Sequence, residues 1–128
     1  MVVIDTHVLI RDALQPKRLS ERARRAMDGA HGPLAVSDIS LWEAAMLIAR
    51  ERVQPGADAA TFIERMLEAR AVRVLPITPK IAVLAQGDDF AHGDPADRII
   101  GATAIAHGAP LVTADKRLRG VPGLRVLW

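Results

Sequence analysis

Short, strongly apolar segments alternate along this 128-residue chain with longer segments whose apolar residues follow helical spacing. The short segments favour β-strands and the longer ones favour helices. Strands that are joined by helices pair in parallel, and the helices then cover both faces of the sheet. The sequence therefore predicts an α/β fold around a mainly parallel, five-stranded sheet. The predicted strands span residues 2–4, 33–37, 72–77, 110–115 and 124–128.

Capping residues and helix breakers set the expected ends of the helices. Ser20, Thr78 and Asp94 each precede a predicted helix, and Pro79 and Pro95 stand at first helical positions. The expected helices cover residues 6–14, 20–30, 38–52, 58–70, 79–87 and 95–108. In the third of them we expect a buried stripe formed by Ile39, Trp42, Ala45, Met46 and Ala49.

Composition limits the class of protein. Residues 1–128 suit a single domain without linkers or repeats, and the absence of cysteine excludes disulfides and thiolate metal sites. The net charge of +2 carries no functional message. The N-terminus has no basic start or cleavage site of a signal peptide, and no apolar run reaches membrane-spanning length. We interpret the protein as cytoplasmic, without a membrane partner.

Carboxylates stand where parallel strands end. Asp5 follows the first strand, Asp115 closes the fourth, and Glu43 lies early in the helix after the second strand. Function in an open parallel sheet collects beyond the carboxyl ends of its strands, at the point where the strand order reverses. We therefore expect these acids to meet there, together with Asp97 at the start of the helix that begins at Pro95.

Asp94 and Asp97 have two interpretations. Asp94 is suited to the N-cap, and Asp97 falls in the first turn, where the helix dipole favours a negative charge by about 0.3–1 kcal/mol. The alternative is a catalytic or metal-binding role, and this interpretation is better supported for Asp97 because other acids are expected near it. We predict that Asp94 starts the helix, whereas Asp97 both supports the start and holds a metal ion.

Four carboxylates in one pocket require a counter-charge. At an effective dielectric near 20, two of them about 4 Å apart repel by roughly 4 kcal/mol. Either protons or divalent cations must relieve this repulsion, and ligands that are all oxygen select hard ions such as Mg²⁺ or Mn²⁺. Such ions serve phosphodiester hydrolysis, so the pattern predicts metal-dependent phosphoryl chemistry.

Five segments together resemble the PIN-domain family, and within it the VapC-type ribonuclease toxins. They are VVIDTHVLI, SDISLWEAAM, HGDPADRIIGATA, LVTADKRL and the terminal VRVLW. The resemblance spans nearly the whole chain in the same order. It implies a three-layer α/β/α sandwich and an acidic Mg²⁺ or Mn²⁺ site that hydrolyses RNA.

The resemblance also implies roles for individual residues. Asp5, Glu43, Asp97 and Asp115 match the acids that hold the metal and carry catalysis in the family. Departures are Ala96, where an aromatic residue is common, and Gly101, where a larger aliphatic residue or alanine is usual. They affect the packing near the site and not its ligands. Supporting positions are assigned to Thr6, Thr113 and Asp94.

Basic and histidine side chains lie beside the acids in the sequence. We predict that His7 packs or hydrogen-bonds on its helix and that His92 shapes its loop or contacts RNA, rather than either serving as general base. We expect Arg98 to form a surface ion pair. The alternatives are a pair with an acid of the site when metal is absent, and a contact with a phosphate. Arg98, His92 and Lys116 are the candidate RNA contacts.

The function implied by the resemblance is that of an endoribonuclease toxin that is blocked by a cognate antitoxin protein. The antitoxin arm is expected in an apolar groove near the first helices. A homodimer is also implied, and Leu9, Ile10 and Leu14 are candidates for its contact or for the core. The alternative is a catalytically inactive PIN-like module that binds RNA or protein, although all four acids are present. A phosphatase that uses Asp5 as its nucleophile is disfavoured because position 7 is His, and a phosphate-receiver domain is matched only faintly by Lys116.

Overall fold

The computed structural model describes residues 1–91 and 93–128. Its centre is a five-stranded sheet in the order β3-β2-β1-β4-β5, and every neighbouring pair is parallel. Val3 of the central strand pairs with Ala35 on one side and Leu111 on the other. The strands are β1 (Val2–Ile4), β2 (Leu34–Ser37), β3 (Arg73–Leu75), β4 (Leu111–Val112) and β5 (Val126–Leu127).

Helices connect the strands. The described chain contains α1 (Thr6–Leu14), α2 (Glu21–Asp28), α3 (Ile39–Ala49), α4 (Ala59–Ala69), α5 (Pro79–Ala85) and α6 (Pro95–Ala106). Short 3-10 turns, which the sequence pattern did not predict, add Pro16–Arg18 and Lys116–Leu118. Within residues 1–91 and 93–128, no helix has both the length and the apolar composition that are needed to cross a membrane.

Alternation along the strands divides the core into two layers. Val2 and Ile4 of β1 pack with residues of α1 to α4, whereas Val3 packs with residues of α5 and α6. Successive side chains of a strand point to opposite faces, so each face of the sheet receives its own set of helices. The predicted three-layer α/β/α sandwich with its parallel five-stranded sheet is confirmed.

The strand order places the functional edge. From β1 the chain proceeds outward to β2 and β3 on one side, and β4 and β5 lie on the other. The order therefore reverses between β1 and β4, and a crevice opens between the connections that leave their carboxyl ends. Asp5 follows β1 directly and Thr113 follows β4 directly, so both residues stand at this reversal point.

Local sequence signals correctly identified most helix starts. The side chains of Ser20, Asp58, Thr78 and Asp94 each accept a hydrogen bond from a main-chain N–H of the helix that they precede. The predicted ends of the strands were less accurate: β3, β4 and β5 are each shorter than predicted. The terminal residues of the predicted strands extend beyond the paired ladder.

The predicted buried stripe of α3 is wrong. Trp42 is 62% exposed, and the helix buries instead the face that is formed by Ser40, Glu43, Ala44 and Leu47. The segment ISLWEAAMLIA is apolar on almost every side, so apolar spacing alone does not determine which side faces inward. Packing against the rest of the protein made that choice, and it turned a carboxylate inward.

Gly101, the departure within α6, has a packing explanation. A Cβ atom at this position would lie 2.7 Å from Cε1 of Phe90, a side chain that is only 5% exposed. The missing side chain leaves room for the Phe90 ring against the helix. Phe90 therefore fills the space that a larger residue at position 101 would take.

An arginine fastens α4 to the first two helices. At the end of α4, Arg70 donates from Nε and Nη2 to both carboxylate oxygens of Asp12, at 2.8 and 2.7 Å. Its Nη1 donates to Oδ1 of Asp28 at 2.7 Å. The Asp12 side chain is only 12% exposed, so this pair is less screened than a surface ion pair.

Replacing this arginine is expected to loosen the helical layer. Arg70→Gln should lower the free energy of unfolding by about 1–3 kcal/mol, because the two-pronged bond to a nearly buried carboxylate is lost. Urea denaturation followed by circular dichroism measures the change. Arg65→Gln, an exposed arginine on the same helix, is the matched control and should stay within about 0.5 kcal/mol of the parent. Equal effects of the two substitutions would contradict this role for Arg70.

Candidate metal centre

An acidic cavity of about 300 Å³ opens at the reversal point of the sheet. Its walls come from the segments that follow β1 and β4 and from the starts of α3 and α6. All the acids that were predicted to hold the metal contribute to it. The lining residues are Asp5, His7, Arg11, Glu43, Asp94, Asp97, Ala114, Asp115 and Arg117.

Asp5 is held rigidly by its neighbours. Its Oδ1 accepts the main-chain N–H of His7 at 3.1 Å, which makes Asp5 the N-cap of α1. Its Oδ2 accepts the Thr113 hydroxyl at 2.6 Å, and the same Thr113 oxygen accepts the N–H of Asp115 at 3.0 Å. Thr113 is fully buried, so it fixes the carboxylate of Asp5 and the backbone of Asp115 together. The supporting role that the resemblance implies for Thr113 stays a prediction.

Asp115 lies at the opening of the cavity. Its Oδ1 accepts the main-chain N–H of Arg117 at 2.9 Å and caps the 3-10 turn Lys116–Leu118. The guanidinium of Arg117 also reaches this carboxylate, with Nε 3.3 Å from Oδ1. Arg117 therefore partly neutralises the charge of Asp115, the acid that was predicted at the end of the fourth strand.

Glu43 enters the cavity from the buried face of α3. The residue is 6% exposed, and its Oε1 is buried without a hydrogen-bond partner among the described residues. Burial raises the pKa of Glu43, and the negative charges of Asp5 and Asp94 act in the same direction, whereas the hydroxyl of Thr6 and the charge of His7 oppose them. Thr6 donates to the buried Ser40 hydroxyl at 2.9 Å, so the predicted support from Thr6 comes through contact with α3.

Asp94 and Asp97 approach Glu43 from the start of α6. One carboxylate oxygen of each of these three residues lies within 4.8 Å of the others. Asp94 accepts the N–H of Ala96 at 2.9 Å and is the N-cap of α6, as predicted. Its carboxylate also belongs to the cluster, where the resemblance had implied only a supporting position for it.

Asp97 has the most strongly altered acidity at this site. Burial, the largest cause, and the charges of Asp5, Asp94, Glu43 and Asp115 together raise its pKa to about 7. A carboxylate that is 8% exposed and faces other acids is unstable as an anion without a cation nearby. The buried, unpaired Oε1 of Glu43 points to the same need, and an all-oxygen donor set fits a hard divalent cation.

The other candidate residues have different surroundings. His7 was expected to pack or hydrogen-bond on its helix; it is exposed and lines the acidic cavity, so it is not packed in the core. Arg98 donates to the carbonyl oxygens of Ala85, Gly87 and Phe90, so a surface ion pair does not describe its environment. Lys116 is exposed beside the cavity, and His92 lies outside the described residues. Arg11 and Arg117 also line the cavity and were not predicted to do so; the available signal was the position of Arg11 four residues after His7.

The chain belongs to the PIN domain family, whose model matches residues 2–124. Among characterised relatives, it is 42% identical over 119 residues to ribonuclease VapC22 of Mycobacterium tuberculosis strain H37Rv, an alignment that covers 92% of this chain and 89% of that protein.

Solved structures agree on the fold. A chain of the DNA-bound VapBC2 complex from Rickettsia felis superposes with a TM-score of 0.72 at 16% identity, over 98% of this chain and 97% of that one. A chain of a toxin–antitoxin complex from Klebsiella pneumoniae gives 0.67 at 23% identity, over 97% and 95%. At these identities, the likeness concerns the fold.

Proposed function

We propose that the protein is a metal-dependent endoribonuclease and the toxin of a toxin–antitoxin pair. The observation that carries this proposal is an acidic cluster at the reversal point of a PIN-domain sheet, in which Glu43 and Asp97 are buried, Asp94 is exposed and Oε1 of Glu43 has no partner among the described residues. The relative that is 42% identical is named a ribonuclease, which supports RNA as the substrate.

The acids have distinct proposed roles. Glu43 and Asp97, together with Asp5, supply the buried negative charge that would hold Mg²⁺ or Mn²⁺, and Asp94 extends the donor set at the exposed rim. Asp115 completes the site directly or through water. A divalent cation bound there supplies charge neutralisation and activation of the phosphodiester for hydrolysis. Thr113 and Thr6 position these ligands, and burial by α3 and α6 limits the access of solvent.

The proposed protein partner is a cognate antitoxin. The Klebsiella structure is a toxin–antitoxin complex, which supports a partner of this kind. An apolar groove of about 560 Å³ between α1 and α4, lined by Leu9, Phe62 and Met66, is where we propose that its arm binds. We further propose that the protein acts in the cytoplasm as a homodimer. Of the three candidate contacts, Leu14 is 42% exposed, whereas Leu9 and Ile10 are buried.

Calorimetric titration of Mn²⁺ into antitoxin-free protein tests the metal site without knowledge of the RNA target. We expect the parent to bind Mn²⁺, and Asp97→Asn to lose more than about tenfold in affinity, because a buried anionic ligand becomes neutral. Asp88→Asn removes an exposed acid outside the cavity and is the matched control with unchanged binding. Equal Mn²⁺ binding by the parent and Asp97→Asn would show that Asp97 is not a metal ligand and that its role is structural.

A further inference from the structure

A basic groove of about 630 Å³ runs along α1 beside the acidic cavity. Arg11 and Arg18 line one side of it, and Arg52 lines the other, from the segment that follows α3. None of the described residues that line it is acidic. A groove with three arginines and no lining carboxylate is electrostatically suited to a polyanion.

The groove and the acidic cavity are neighbours that share part of their lining. His7 and Arg11 line both of them, and these residues lie one helical turn apart on α1. The helix begins beside Asp5, and its rise places Arg11 about 9 Å further along the axis. An RNA strand with one phosphate in the acidic cavity would therefore contact Arg11 first and Arg18 further along the groove.

Arg11 has a defined orientation within the groove. Its guanidinium lies over the ring of Trp128, 5.7 Å from the ring centroid. This contact holds the charge between the two cavities and leaves the planar group able to bind a phosphate. Arg18 and Arg52 are exposed and can adjust to a ligand.

The floor of the groove favours unpaired bases over a duplex. Val53 is part-exposed above the nearly buried Ile10 and Leu47, and Gln15 and Gln54 are exposed beside them. Bases that are not paired can lie on apolar surface and bond to amides, whereas a duplex keeps the faces of its bases stacked inside the helix.

We infer that this groove binds the single-stranded RNA segment that flanks the scissile phosphate, with Arg11, Arg18 and Arg52 as phosphate contacts. The inference rests on the proposed ribonuclease function and assigns the path of its substrate. A protein arm is the competing occupant of such a groove. The described residues that line the groove include no carboxylate, and two of them also line the acidic cavity; both features favour RNA.

Fluorescence anisotropy with a labelled single-stranded RNA of mixed sequence tests the inference, in an Asp97→Asn background so that the probe is not cut. Arg11→Gln, Arg18→Gln and Arg52→Gln are each expected to weaken binding about three- to tenfold for every sequence tried. The plot of log affinity against log salt should become less steep by about 0.7 for each arginine removed. Arg11→Lys, which keeps the charge, should retain most of the affinity. The double variant Arg22→Gln/Arg73→Gln alters exposed arginines outside the groove and should bind like its background.

The outcomes separate the two proposals. If the groove variants bind RNA like their background while the parent cuts RNA, the groove assignment is overturned and the ribonuclease proposal stands. Equal affinity for the annealed duplex would overturn the preference for single strands. If the parent neither binds nor cuts any RNA in the presence of Mn²⁺, the ribonuclease proposal itself fails. Melting curves of each variant show whether a loss of binding reflects a loss of fold.

Discussion

Asp97→Asn is expected to abolish RNA cleavage and at the same time to stabilise the metal-free protein. The loss of activity should exceed about 100-fold, since a ligand at the centre of the acidic cluster loses its charge. The stability gain follows from burial, which disfavours the charged carboxylate, and from its repulsion by Asp5, Asp94, Glu43 and Asp115. An amide of nearly the same shape carries no charge and escapes both effects.

The stability effect depends on pH in a defined direction. The pKa of Asp97 is about 7 in the folded protein, against an ordinary value of 3.8. Between these values the folded state binds more protons than the unfolded state, so the stability of the metal-free parent falls as pH rises from about 4 to 7. Asp97→Asn lacks this contribution and should exceed the parent by about 1–3 kcal/mol at pH 8, with little difference at pH 4.

Urea denaturation in EDTA at pH 4, 6 and 8 measures this difference, and cleavage of total cellular RNA in Mn²⁺ measures the activity. Asp88→Asn, purified in the same way, controls for contaminating ribonuclease and for the loss of an exposed acid. Added Mn²⁺ should stabilise the parent and Asp88→Asn but not Asp97→Asn. A variant at position 97 that cuts RNA as fast as the parent would remove Asp97 from the catalytic site.

Arg98→Met is expected to cause the largest loss of stability among the charged positions near the site. Its guanidinium donates to the carbonyl oxygens of Ala85, Phe90 and Gly87, at 2.7, 3.0 and 3.1 Å, and lies 5.9 Å from the ring centroid of Phe90. Removing the donors of three part-buried carbonyls should cost about 2–4 kcal/mol. Arg98→Lys should recover little of it, because one ammonium group cannot reach three carbonyls in this arrangement.

Denaturant melts and hydrogen exchange of residues 85–91 test the role of Arg98. The amides of this segment should exchange faster in Arg98→Met, since the side chain that ties the end of α5 to α6 is missing. Arg73→Met, an exposed arginine on the edge strand β3, is the control and should change neither measurement. Unchanged stability together with weakened RNA binding would instead support the phosphate contact that the sequence suggested for Arg98.

The parts of the fold that could be predicted from sequence are those that depend on residues close to one another in the chain. Apolar segments that alternate with helical spacing predict strands and helices, and Ser20, Thr78 and Asp94 mark helix starts, because strand propensity, helical periodicity and capping depend on residues close in sequence. The carboxyl ends of parallel strands share one edge, where Asp5 lies, and α6 begins at the same edge because it precedes β4, so the meeting of Asp5 with Asp97 was predictable.

Tertiary packing decided what local patterns left undetermined. The sequence of α3 is apolar on nearly all sides, and only its contacts with the rest of the core turned Glu43 inward and left Trp42 exposed. In the same way, the carboxylate of Asp94 joined the cluster through the placement of α6 beside α3, and Arg98 found its carbonyl partners in the connection from α5. The sequence by itself determined which carboxylates reach the functional edge of the sheet. Only the tertiary structure decided which of them are buried together, because burial depends on how helices from distant parts of the chain pack.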